Sequence, residues 1–146
     1  KNTKKNCATF TLNYQPGTLK AVTVGKDGKE RQDILTSATG KGSLKLVAEK
    51  DNYKVGDLIF VLIDLVGENG QVIANKDQEL HVQAEGAQLL GFGSGAFETT
   101  CTFHSGTYPT HYGRSMAVLR CKKAGTVTLT AAGEGLKTQS IKINVK

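Results

Sequence analysis

Ser115–Gly133 reads SMAVLRCKKAGTVTLTAAG. Within it Val127, Leu129 and Ala131 alternate with Thr126, Thr128 and Thr130. A period of two sends one set of side chains to each face of a strand. Ser115–Cys121 alternates in the same way, and Ala124-Gly125 supplies the turn between the two runs. The terminal run Lys137–Val145 follows, with Ile141, Ile143 and Val145 set against Ser140, Lys142 and Asn144. Three such runs in succession predict the closing half of an antiparallel sandwich.

Working back toward the N-terminus, the same period recurs. Leu44, Leu46 and Ala48 alternate with Ser43, Lys45 and Val47, and Leu80, Val82 and Ala84 with Glu79, His81 and Gln83. His81 is therefore expected to face solvent. Leu58–Val66 is apolar nearly throughout and predicts a central strand covered on both faces. Its odd member, Asp64, is expected at the strand end or rim. Asn69-Gly70 and Gly133-Glu134-Gly135 mark turns. No window carries a convincing helical stripe. Seven or eight short strands over Gly42–Lys146 fit an all-β, immunoglobulin-like antiparallel β-sandwich, placed at residues 43–146.

Gly91-Phe92-Gly93-Ser94-Gly95 resembles a phosphate-cradling loop only on the surface, because no helix follows to aim N–H groups at an anion. A bulge or sharp corner with glycine at positive φ is the expectation.

Residues 1–37 read as a separate unit. Strands are predicted at Ala8–Leu12, Gly17–Val24 and Asp33–Ser37, joined by Tyr14-Gln15-Pro16-Gly17 and Lys26-Asp27-Gly28-Lys29. Three strands without a facing sheet bury too little to be stable alone. They are expected to be the last strands of a truncated neighbouring sandwich, with 38–42 as linker, or else to extend the edge of the main sheet. A start at Lys1 without Met or signal peptide agrees with a piece of a longer protein, whose signal would lie upstream.

Composition narrows the function. Apolar residues make up 38% of the 146, and 17 Gly against 2 Pro suit many tight turns. No apolar run approaches the roughly 20 residues of a membrane helix, so no membrane insertion is expected. The net charge is +6, but residues 1–37 hold seven Lys/Arg against three Asp/Glu, and the larger part is nearly balanced. A nucleic-acid footprint would interleave cations with stacking aromatics, and here the aromatics lie elsewhere, so nucleic acid is not an expected partner.

Several stretches carry a family likeness. Tyr14–Val22 (YQPGTLKAV), followed by the Lys-Asp-Gly-Lys hairpin, resembles the closing strands of the immunoglobulin-like domain behind the catalytic barrel of family 2 glycoside hydrolases of the bacterial β-galactosidase type. Asp57–Asp64, Glu68-Asn69-Gly70, Leu89–Gly95 and Ala124–Lys137 resemble the next and last domain of those enzymes. The chain departs from the family at Ser94, where Asn is frequent, and at His111-Tyr112-Gly113, where Phe-Asn-Gly is usual. The resemblance implies a periplasmic or secreted parent whose two catalytic glutamates lie on a (β/α)₈ barrel outside this chain. It also implies a non-catalytic accessory role with the parent's other domains as partners, and neither catalytic residue nor cofactor here.

The residues give the same answer independently. Glycoside hydrolysis needs two carboxylates about 5–10 Å apart, and Glu98 is the only acid in the aromatic loop. Cys101, His104, His111 and Cys121 have zinc-ligand chemistry but an unfamiliar spacing, so no metal is expected. Cys101 and Cys121 flank that loop and are read either as a disulfide or as two buried small hydrophobes.

The aromatic loop remains as the functional candidate. With 5 Phe, 4 Tyr and no Trp in the chain, five of the nine aromatics fall between Phe92 and Tyr112. Phe97, Phe103, His104, Tyr108, His111, Tyr112 and Arg114 are the candidate contacts, either to a sugar face or to a neighbouring domain. The packing version has Phe92, Phe97 and Phe103 plugging the end of the sandwich, with the tyrosines outside. A carbohydrate-binding module and an adhesin-type stalk are the rival readings.

Overall fold

The computed structural model describes residues 3, 4, 7–97 and 99–146. The chain forms two compact units, Lys1–Ser37 and Ala38–Lys146. No described residue is in an α-helix.

In the first unit, β1 (Thr3–Lys4) pairs antiparallel with β2 (Cys7–Ala8). β3 (Thr18–Val24) and β4 (Glu30–Thr36) form a hairpin in register from Thr18↔Thr36 to Val24↔Glu30. Asp27 builds its turn, accepting the Lys29 N–H at 3.2 Å and pairing with Arg31 at 3.1 Å. Every residue of β3 and β4 is exposed. The strand expected over Ala8–Leu12 is limited to Cys7–Ala8. Phe10 and Leu12 have the right alternation, but no described strand pairs with them and both lie exposed.

Among the described residues, the second unit is a sandwich of eight strands. β5 (Ser43–Ala48), β6 (Leu58–Val66), β10 (Arg114–Arg120) and β8 (Gln88–Gly93) lie side by side in that order. The facing sheet runs β12 (Gln139–Val145), β11 (Gly125–Gly133), β7 (Glu79–Glu85) and β9 (Thr107–Pro109). Every pairing within the two sheets is antiparallel. Ile59, Val61, Ile63 and Leu119 from the first sheet meet Leu80, Val127 and Leu129 from the second, all with no exposed surface. Burying one such side chain contributes about 1.5–3 kcal/mol, and the alternating pattern makes that burial possible.

Ala38–Gly42, read as a linker, is bonded into this unit. Thr39 N–H donates to Asn69 Oδ1 at 3.2 Å and Glu68 N–H to Thr39 O at 2.8 Å.

β6 departs from its expected double coverage. Its odd-numbered residues Ile59–Leu65 face the core, whereas Leu58 and Leu62 are exposed. The apolar run is a central strand with one covered face, and the exposed half of that run needs another explanation.

Candidate functional site

That explanation lies on the outer face of the β5-β6-β10-β8 sheet. Register places Val47, Leu62, Met116 and Gly93 in one row across the four strands. Phe60, Val118 and Gly91 form the next row. The row on one side is charged, running Lys45, Asp64, Arg114. Asp64 therefore sits between two cations on the sheet face, not at the strand end. Arg120 lies beyond the apolar band on the other side. Val47, Leu62 and Met116 are 42%, 48% and 39% exposed.

An open groove of about 560 Å³ is cut into this band. Its floor is Leu62, Met116, Val118 and the two glycines; its rim carries Ser94, Phe103 and Arg114. No carboxylate among the described residues lines it.

The glycines are strand residues. Neither Gly91, Gly93 nor Gly95 has positive φ, which corrects the sharp-corner expectation. The bulge itself is present, opposite Val118 and Leu119. What Gly93 provides is room: a Cβ there would collide with the ring of Phe103. The Phe103 carbonyl accepts the Phe92 N–H at 2.7 Å, holding the loop over the strand.

The candidate contacts separate accordingly. Phe103 and Arg114 line the groove. Phe103 also stacks on Tyr108, centroids 5.1 Å apart. Tyr108 is fully buried and belongs to the core. It cannot reach a surface ligand, because β9 turns it inward opposite Leu80. Phe97, expected as a plug, is instead 90% exposed, while Phe92 is the buried ring of β8. His104 is exposed, its Nδ1 3.0 Å from Leu90 O.

His111 and Tyr112 touch ring to ring at 4.3 Å in the tight turn between β9 and β10. His111 and Arg114 exchange two backbone bonds across that turn, and Tyr112 takes φ 50°. Neither His111 nor Tyr112 lines the groove. Glu98 falls outside the described residues.

Cys101 is exposed and Cys121 buried, and both are free thiols. The pairing and the two-buried-hydrophobes reading are both corrected: only Cys121 is in the core, its Sγ donating to Lys123 O at 2.8 Å. The described residues hold no cluster of three or more His, Cys, Asp or Glu able to take a metal ion, so Cys101, His104, His111 and Cys121 do not converge. His81 is exposed, with Nδ1 2.7 Å from Thr107 Oγ1.

Sequence reading missed the groove. Its signal was present in the outward half of β6, but an unbroken apolar run hides which residues face out.

The fold and this apolar face define a β-sandwich module, and its likeness to known proteins gives the family. The glycoside hydrolase family 2 C-terminal domain 5 profile matches residues 44–142, and the chain belongs to that family. A glycosyl hydrolase family 2 member from Bacteroides cellulosilyticus is 27% identical with a TM-score of 0.85, over 91% of this chain and 19% of that one. A beta-glycosidase from Bacteroides vulgatus is 25% identical with a TM-score of 0.80, over 92% and 18%. The chain thus spans about a fifth of the length of these solved relatives. The D00-D0 domain of Intimin, 15% identical with a TM-score of 0.50 over 90% of this chain and 66% of that one, shares the fold alone. No curated protein matches the chain.

Proposed function

We propose that this chain is a non-catalytic accessory part of a family 2 glycosidase of the β-galactosidase type, bracing the catalytic portion through contact. The observation that carries this reading is the makeup of the groove. Among the described residues it is lined by apolar side chains and glycine, with two Ser, one Arg and no carboxylate. Hydrolysis requires an acid pair flanking a bond, whereas an exposed apolar patch on a sheet face marks an interaction surface, and contact with a neighbouring part of the parent is one of the uses such a surface serves.

In the same reading residues 1–37 are the closing strands of a preceding sandwich. Supporting it, Leu19, Val22, Val24, Ile34 and Leu35 of the β3–β4 hairpin are all 46% exposed or more, and a two-stranded hairpin is marginal in water by itself. The test is turnover of aryl galactosides and related aryl glycosides. The full-length gene product is expected to cleave at least one of them and this chain none; turnover by the purified chain ends the reading.

Carbohydrate binding by the 92–114 loop is favoured by one observation, the outward rings of Phe97 and Tyr112, 90% and 64% exposed. Calorimetry against galactans separates it: heat abolished by Tyr112→Ala supports it, and no heat removes it.

A further inference from the structure

The two outer faces of the sandwich differ in kind. On the β12-β11-β7 side, Thr128 is flanked by Lys142 and Glu85, and Thr130 by Ser140 and Gln83. That is an ordinary solvated face, as expected of an antiparallel sheet open to water. The opposite face has its apolar band, with the floor lowered by Gly91 and Gly93.

Building on the accessory reading, we propose that this groove seats an apolar side chain accompanied by a carboxylate, both supplied by another segment of the same parent polypeptide. Size selects a tethered occupant. Twelve of the described residues line the groove, against about 20–30 per side in a stable interface between separate proteins. Covalent linkage raises the effective concentration to the millimolar range, at which a contact of this size is occupied. A source for such a segment exists, since the solved relatives are about five times longer than this chain. Charge selects the carboxylate. The rim row holds Lys45 and Arg114 against Asp64 alone, and Arg114 makes no ion pair among the described residues. An acid beside the incoming apolar group neutralises that excess, and an Arg beside a patch of this kind is a frequent anchor.

Met116 reports on the groove, because it is the one methionine of the chain and thioether oxidation follows exposure. Peroxide oxidation of Met116 is timed by peptide mass spectrometry in this chain and in the full-length gene product. Met116 is expected to oxidise at least roughly tenfold more slowly in the full-length protein. Leu62→Glu, at an exposed floor position, restores the fast rate there and leaves the rate in the chain unchanged. Arg114→Glu has the same effect through the carboxylate; a rate that stays slow removes the acidic partner.

Equal rates in the two wild-type proteins overturn the inference. Slowing within the chain as its own concentration rises also overturns it, making the occupant a second copy. Protection on adding oligosaccharide does so too, making the occupant a sugar. The accessory reading fails by a different result, a gene product without glycosidase activity, whatever the rate at Met116.

Discussion

The ring of Phe103 lies nearly parallel to that of Tyr108, with 11° between planes and 5.1 Å between centroids. The same Phe103 ring occupies the space where a side chain at Gly93 would stand. One glycine in an edge strand thus lets a surface loop lay a ring over a core tyrosine. Gly93 is outside the left-handed region, so Gly93→Ala meets a steric cost alone. Overpacking of this kind costs about 1–3 kcal/mol. Thermal denaturation is expected to show that loss, with faster hydrogen exchange at Phe92, whose N–H bonds to Phe103 O. An unchanged midpoint would mean the ring has somewhere else to go at no cost.

Cysteine reactivity separates the three thiols. Cys101 and Cys7 are exposed and Cys121 is buried at 1%. Thiol reagent is expected to label two groups quickly in the folded chain and the third only on unfolding. The melting midpoint should be the same with and without reductant. A reductant-dependent midpoint would restore the Cys101–Cys121 bond.

Much of the sandwich was legible because burial on one side imposes a period of two. Val127, Leu129 and Ala131 announce β11, and all three are buried in the observed strand, Gly125–Gly133. The same rule fails where both sets of residues are apolar. In Leu58–Val66 the inner set serves the core and the outer set forms an apolar surface, and the two are indistinguishable along the chain. Tyr108 was misplaced for a related reason. A ring in a loop rich in Thr and Ser looks like surface, yet β9 pairs it with Leu80 across a strand 28 positions away in sequence. Such long-range pairing leaves no local trace. Gly93 misled in the opposite direction, since glycine suggested backbone freedom when the structure uses its missing Cβ.

The β9–β10 turn holds a strained residue. Tyr112 and Gly113 have φ of 50° and 72° between His111 and Arg114. Two successive left-handed residues are the signature of the hairpin turn that favours Asn-Gly. A bulky aromatic in the first place costs on the order of 1 kcal/mol. Tyr112→Asn is expected to leave stability unchanged or raise it by about 0.5–1 kcal/mol, read from chemical denaturation. Gly113→Ala is expected to lose about 2 kcal/mol or more, because its Cβ would also collide with Ile73 O. A clear loss of stability in Tyr112→Asn would show that the ring pair with His111 outweighs the backbone strain.

Adjacent residues of β6 give the sharpest check on one-sided packing. Ile63 is fully buried and its register partners are Leu46 and Ser115. Ile63→Ala is expected to cost about 2–5 kcal/mol through lost burial and the cavity left behind. Leu62 occupies the next position, 48% exposed, and Leu62→Ala is expected to cost under about 1 kcal/mol in this chain. Both changes substitute Ala for a larger residue at the centre of the same strand, and the propensity difference between Ile and Leu is smaller than the burial effect they compare. Equal losses by denaturant unfolding would place a covering layer on the outer face within this chain, leaving the groove no room for an occupant from elsewhere.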